Sequence, residues 1–389
     1  MKKRTPIFPL ILFIGVLASS CAGTPGATSS GSFRSPEEML GEYTSPSGGT
    51  FPGIAVSVIR GGETVYREVA GVRSRDSLEP ISESDPFHIG SNTKAMTALL
   101  CGIMVDRNLL SWQTPLREVL GDGFPMREEY RDVTVEQLLS HTSGIPSVLP
   151  QNPWLSFFPY DSPAGTQRER MAREALQLPP AHVAGSEYLY SNLGYVVAGF
   201  LLEELTEKSW ETLIKEELFT PLEMENAGFG PPAKGDAEGD PPSAPWGHNP
   251  APVNPGFMYA DNPLAMGPAG TVHANLQDLE NYLSLYFHQG LSPQGEQIIS
   301  RKSLLELMKP RLESYSLGWL TGVSDQGKPF LVHDGSNTMF YCSFLVFPES
   351  KDGIIILTNR GDGKSSLRVT ELLLYFAESF LDATITGEE

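Results

Sequence analysis

Apolar positions along this chain follow two periods, and each period predicts its own elements. Residues 54–59 are a β-branched run, Ile-Ala-Val-Ser-Val-Ile, and residues 64–69 repeat a strand pattern. Arg60-Gly61-Gly62-Glu63 between them is hairpin chemistry, because paired glycines admit positive φ at a tight turn. Phe51-Pro52-Gly53 marks the entry, so the folded part opens with antiparallel strands. Strand patterns return at residues 315–320, 330–332, 341–347 and 354–358, and Asn359-Arg360-Gly361-Asp362-Gly363 breaks the last. The spacing in between is mainly helical. Met96, Leu99, Leu100, Ile103 and Met104 recur at three and four, while Ala95, Ala98, Cys101 and Gly102 fill the opposite side. A helix apolar nearly all round belongs in the interior. Thr134-Val135-Glu136-Gln137 is a capping box for a short helix ending before Ser143-Gly144-Ile145-Pro146. Residues 193–205 carry a further helix, and Ser209 caps another through Leu218 that Pro221 stops. Asn275 opens an amphipathic helix on Leu276, Leu279, Leu283 and Phe287, and residues 367–381 close the chain through Leu372, Leu373, Phe376 and Phe380.

Strands at both ends with helices between them predict an α/β (α+β) fold. One antiparallel sheet, flanked by helices, is shared by the termini and interrupted by a mostly helical insertion. The expected α/β domain covers residues 51–106 and 272–385, and the helical domain covers 107–271. Residues 231–268 hold ten prolines, so a long loop is expected there, either lying across a site rim or simply joining elements. No internal repeat is visible.

Composition narrows the function. With 389 residues, 40% hydrophobic and 19% charged, the chain can bury a large core. A formal net charge of −19 repels phosphates and argues against nucleic-acid binding. Lys2, Lys3 and Arg4 precede an apolar stretch at 7–17 that is too short to span a bilayer comfortably, which predicts a signal peptide over 1–20. Leu17-Ala18-Ser19-Ser20-Cys21 resembles a bacterial lipoprotein cleavage site, with Ala18 where leucine is usual. Cys21 would then carry lipid and hold an exported protein to the membrane; the alternative is an ordinary secretion signal cut near Ser20. Gly, Ser, Thr and Pro dominate the next stretch, so 21–50 is expected to be a flexible tether. Cys101 and Cys342 are expected to be buried free thiols, a disulfide being the alternative. No cysteine pair or His spacing suggests zinc, and no metal or organic cofactor is expected.

Candidate chemistry begins at Phe87-His88-Ile89-Gly90-Ser91-Asn92-Thr93-Lys94. At helical spacing Ser91 and Lys94 share a face one turn apart, at the start of the buried helix. A serine hydroxyl needs a base, and a desolvated lysine can supply one. Ser-x-x-Lys alone is a weak signal. Tyr190-Ser191-Asn192, just before a helix, offers a phenol and an amide. A tyrosine beside a lysine ammonium ionises more readily and can pass protons. His333-Asp334-Gly335-Ser336 follows a strand run; Gly335 permits close backbone approach by a ligand, and the N–H after it can face an oxyanion. Each residue also has a purely structural reading: Ser91 as a cap, Tyr190 as core, Asn192 as a helix cap, His333 at a strand end. His141 reads as structural, packing at a helix end. There is no Gly-x-Ser-x-Gly elbow, which disfavours an α/β-hydrolase.

Phe-x-Ile-Gly-Ser-x-Thr-Lys, Tyr-x-Asn and His-x-Gly in this order resemble the serine β-lactamase-related family, which holds class C β-lactamases, D-Ala-D-Ala carboxypeptidases, D-aminopeptidases and esterases. Residues 138–146, Pro221-Leu222-Glu223-Met224 and Ala269-Gly270-Thr271 add to the likeness, which covers roughly residues 50–380. The resemblance implies Ser91 as nucleophile and Lys94 with Tyr190 as shared base and acid. It further implies Asn192 against the substrate amide or acyl group, His333 and Gly335 in the place of a Lys-Thr-Gly strand motif, and the N–H groups of Ser91 and Ser336 as an oxyanion hole. Class C β-lactamases have lysine where His333 stands, so attraction for a substrate carboxylate is weaker here. Asp334 beside it either keeps the imidazole charged or repels an anionic substrate. The expectation is a serine hydrolase working through an acyl-enzyme on D-amino-acid peptides, some of them peptidoglycan-derived, or on small esters. The alternatives are a true β-lactamase and a non-catalytic lipoprotein that binds cell-wall fragments. For the anchor, Cys21→Ser is expected to release the protein from the membrane fraction on cell fractionation, and continued retention would contradict the lipid.

Overall fold

The computed structural model describes residues 35–385 apart from Tyr160 and Glu238. The leader at 1–20, Cys21 and the first part of the tether lie outside the described residues. Both ends of the described chain build one antiparallel sheet in the order Glu63–Gly71, Gly53–Arg60, Asp352–Thr358, Tyr341–Phe347, Pro329–Ser336, Leu320–Val323. Side chains alternate between its faces. Ile54, Val56, Val58, Ile354 and Ile356 pack with Val369, Leu372, Phe376 and Ala377 of the closing helix Gly363–Leu381. Ala55, Ile355 and Leu357 turn the other way, into the larger core shared with the helical part of the chain. Strands covered on both faces read as unbroken apolar runs, which is the pattern at 54–59 and 354–358. Each large apolar side chain buried this way stabilises the fold by about 2 kcal/mol. Gly61 and Gly62, at φ 63° and 91°, make the hairpin turn that the two glycines predict.

The helix Thr93–Asp106 lies in the middle of the molecule, with every residue from Thr93 to Met104 buried. Its first turn is tied to one neighbouring segment. Thr97 Oγ1 donates to the Pro268 carbonyl (2.8 Å), Val272 N–H donates to Thr93 Oγ1 (3.3 Å) and Ile89 N–H donates to the Val272 carbonyl (2.9 Å). The capping box at Thr134 forms as expected, opening the helix Val135–Leu139, and Asn275 opens the helix Leu276–Phe287 as expected, there through a capping box with Asp278. Cys101 and Cys342 are buried and free.

Some expectations need correction. The strand expected at 315–320 starts only at Leu320. Glu313 and Ser314 have positive φ, and Gly318 (φ 95°) sits so close to the buried helix that a Cβ there would come 2.6 Å from Ala95 Cα. Tyr315, Leu317 and Trp319 are buried by packing rather than by a ladder: Tyr315 lies against His141 and His333 and makes a single bridge to Leu320, and Trp319 packs on Tyr286. The flexible tether does not extend to residue 50. Ser35 opens a capping-box helix, Pro36–Tyr43, whose Leu40 is buried with Phe51 against the sheet. The helix Ala164–Gln177, not singled out in the sequence, is amphipathic but polar overall: its buried face includes Gln167 and Arg168, the latter paired with Glu203 and Glu211. The proline-rich segment is irregular as expected, yet pinned: His248 Nδ1 meets the Asn359 carbonyl at 2.8 Å and its Nε2 accepts the Arg75 N–H at 3.2 Å.

Gly335 does permit a close backbone approach, but of another strand of the chain rather than of a ligand. A Cβ at Gly335 would overlap the Ile89 carbonyl oxygen, and a Cβ at Gly90 would overlap the Ser336 backbone nitrogen. Two backbones therefore cross in direct contact beside Ser91. Gly335→Ala is expected to lower unfolding free energy by about 1–3 kcal/mol, as overpacking does elsewhere, read as a fall in the urea midpoint. An unchanged midpoint would contradict the crossing.

Candidate active site

The three sequence motifs converge. Gly90–Asn92 forms a 3-10 turn entered through Gly90 at φ 50°, and the helix continues from Thr93. Ser91 remains partly exposed while Lys94, a turn later, has no exposed surface. Lys94 Nζ lies 3.0 Å from Ser91 Oγ and donates to the Ala269 carbonyl at 2.7 Å. It sits over the face of Tyr190, 4.8 Å from the ring centroid, and 5.6 Å from that of Tyr195. Burial holds the Lys94 amine well below its ordinary range, which favours the neutral form. Since a carbonyl can only accept, one amine proton goes to Ala269 and the lone pair is free for the Ser91 hydroxyl.

Lost hydration also pushes the Tyr190 phenol up, with a hydrogen bond to Ser91 acting the other way. Burial favours the uncharged forms of both Lys94 and Tyr190, which works against the expected easing of Tyr190 ionisation by a lysine ammonium. Ser147 Oγ donates to the Tyr190 carbonyl at 2.6 Å and fixes that residue's backbone.

The cap of the helix Asn192–Thr206 is Ser191, whose Oγ accepts the Gly194 N–H at 3.0 Å. Asn192 is thus free of capping duty, and it stands half-buried two residues from Tyr190. His333 is buried, with Nδ1 2.6 Å from the Asp334 carbonyl and Nε2 3.2 Å from the Tyr315 hydroxyl. Burial first, then the nearby Lys94, lowers its pKa to about 3. Asp334 does not charge it, because adjacent strand residues face opposite ways; its carboxylate accepts from the Tyr341 hydroxyl at 2.8 Å. Ser336 Oγ donates to the Phe340 carbonyl (2.8 Å), and its backbone nitrogen lies against Gly90.

Two participants carried no chemistry in the sequence reading. His141, at φ 60°, packs its ring 4.3 Å from Tyr190 and 4.7 Å from Tyr315, and its Nδ1 accepts the Ser191 N–H at 3.0 Å. It holds the tyrosine motif's backbone in place from within the segment at 138–146. Ala269 acts through its carbonyl. Both lie inside stretches that carry the family resemblance, which was the available signal. Among the described residues no group of three His, Cys, Asp or Glu side chains could hold a metal.

The sequence model of the Beta-lactamase family matches residues 42–377. The chain belongs to the Beta-lactamase family. Family relatives include an unguisins hydrolase of Aspergillus campestris, 26% identical over 338 residues, covering 83% of this chain and 61% of that protein. Penicillin-binding protein 4 of Amycolatopsis lactamdurans is 28% identical over 337 residues, covering 80% and 81%. The chain thus spans about three-fifths of the length of the first of these relatives. The solved structure of an octameric penicillin-binding protein homologue from Pyrococcus abyssi superposes with a TM-score of 0.68 at 24% identity, over 88% of this chain and 78% of that one. That likeness establishes the shared fold.

A neutral His333 has nothing to titrate between pH 5 and 8. In this Beta-lactamase family member the acid limb of the pH–rate profile for ester turnover is therefore expected to belong to Lys94, with activity rising as pH climbs through its lowered pKa. His333→Asn is expected to leave that limb in place, and a limb displaced by the substitution would contradict the assignment.

Proposed function

We propose that the chain is a serine hydrolase that cleaves amide or ester bonds through an acyl-enzyme, with D-amino-acid peptides or small esters as substrates. One observation carries this reading: the fully buried amine of Lys94 lies 3.0 Å from the Oγ of the partly exposed Ser91, and burial pushes that amine towards its neutral form. In this reading Ser91 Oγ attacks the substrate carbonyl carbon and its proton passes to Lys94 Nζ. The negative oxygen that forms is met by the N–H groups of Ser91 and Ser336, which the contact at Gly90 supports as neighbours. Losing one such donor costs about a hundredfold or more in rate. Tyr190 gives its phenolic proton to the leaving group and regains one from the Lys94 ammonium. The ammonium is costly while buried, so its proton is readily passed on. Water then attacks the ester with the same pair working in reverse. Asn192 holds the substrate's amide or acyl group.

His333 bears on the substrate. A cation there would attract a substrate carboxylate, but both imidazole nitrogens are engaged and the ring is neutral. This favours substrates without a free carboxylate next to the scissile bond, namely amides, amino-terminal residues or esters. It disfavours C-terminal carboxypeptidase action and efficient β-lactam turnover. The relationship to an unguisins hydrolase is compatible with a hydrolytic activity.

Intact mass after exposure to a fluorophosphonate, and separately to a penicillin, tests the reading. A single adduct with the fluorophosphonate is expected on the wild type and none on Ser91→Ala. An adduct surviving in Ser91→Ala, or no adduct on the wild type, would overturn the assignment of the nucleophile. Rapid release of hydrolysed penicillin would replace the amide or ester reading with β-lactamase activity.

A further inference from the structure

Behind the Ser91 turn lies a buried polar chain that the proposed chemistry does not use. His88 and Asp261 have almost no exposed side-chain surface, and Asn337 is also buried. His88 Nδ1 accepts the Gly90 N–H at 3.1 Å, which leaves the ring proton on Nε2. That nitrogen lies 2.9 Å from Asp261 Oδ1. The pair is close but off-axis, without the alignment of a directed hydrogen bond. Asp261 Oδ1 also accepts the Asn262 N–H at 2.7 Å and the Asn337 amide at 3.0 Å. Asn337 Oδ1 in turn accepts the N–H groups of Met339 (3.1 Å) and Phe340 (2.9 Å), which shapes the turn leading into Tyr341–Phe347.

The two ends of this chain of contacts are telling. Gly90 immediately precedes Ser91, and Asn337 immediately follows Ser336. We propose that His88, Asp261 and Asn337 are positioning residues that set the spacing between the N–H groups of Ser91 and Ser336, and so the shape of the oxyanion site. The inference rests on the acyl-enzyme reading above. A carboxylate buried among neutral donors is an expensive way to stabilise a fold, and fixing a geometry is a use that accounts for it. Asp261 comes from the proline-rich segment, whose Asn262 amide also donates to the Gly270 carbonyl at 2.8 Å, beside Gly90. That segment therefore supports the site from beneath.

The exchanged pair gives the sharpest test. Asn337→Asp keeps the turn's acceptors but sets two carboxylates face to face, whereas Asn337→Asp with Asp261→Asn restores one amide against one carboxylate. Turnover of p-nitrophenyl acetate and inhibition by phenylboronic acid, which mimics the tetrahedral adduct, are measured on the full chain. Asn337→Asp is expected to lower kcat and weaken the boronate by one common factor of about 100, as misplacement of oxyanion donors does, with KM changed less than about twofold. Asp261→Asn alone is expected to show the same pattern at about tenfold, which serves if Asn337→Asp does not fold. The exchanged pair is expected to recover most of the loss. An unchanged or raised kcat in Asp261→Asn, a KM that moves with kcat, or no recovery in the exchanged pair would overturn the brace. Fluorophosphonate labelling of the wild type separates the two claims. Absence of a Ser91 adduct defeats the acyl-enzyme reading and this inference with it; an adduct together with any of those three kinetic results defeats the brace alone.

Discussion

Everything in this site depends on one amine being kept out of water. Lys94 Nζ is enclosed between Ser91 Oγ, the Ala269 carbonyl and the faces of Tyr190 and Tyr195, and burial alone accounts for its lowered pKa. Were it hydrated it would be an ammonium, able to donate to Ser91 but not to take its proton. The fold secures the enclosure by placing the helix Thr93–Asp106 in the interior and tying its first turn to residues 268–272. Its polar groups at that end are used up in the process: Thr93, Lys94 and Thr97 each have a partner in the neighbouring segment.

The same desolvation reaches outward in a graded way. His141 and His333 are held neutral chiefly by burial. The site therefore contains several titratable groups and little resting charge, which suits a reaction that builds an anion and a cation only briefly. It also shapes selectivity, because a neutral wall neither draws in nor repels a carboxylate strongly. Against a surface carrying a formal net charge of −19, such a neutral interior separates long-range repulsion of anions from local chemistry.

Much of this was legible in the sequence, for physical reasons. The doubly covered strands showed as apolar runs, the Asn275 and Thr134 caps fell where predicted, and spacing placed Ser91 and Lys94 on one face. What stayed hidden was whatever acts through backbone or through distant contacts. The carbonyl of Ala269 has no side-chain signature, and the crossing at Gly90 and Gly335 looked like room for a ligand. Residues 315–319 imitated a strand because burial against His141, His333 and Tyr286 demands the same large side chains as pairing does. Asp261, a lone acid in a proline-rich stretch, gave no sign that it faces His88. The helix Pro36–Tyr43 was masked by the small polar residues around it, although Ser35 and Glu38 form a capping box.

The most direct measurement is the protonation state of Lys94 itself. With lysine labelled at 13Cε and 15Nζ, and the Lys94 signal assigned by its loss in Lys94→Met, a pH titration by NMR reads the amine directly. The account predicts chemical shifts of a neutral amine at pH 7, with protonation appearing only at lower pH. An ammonium signal that persists through neutral pH and titrates near the ordinary lysine value of about 10.4 would contradict it.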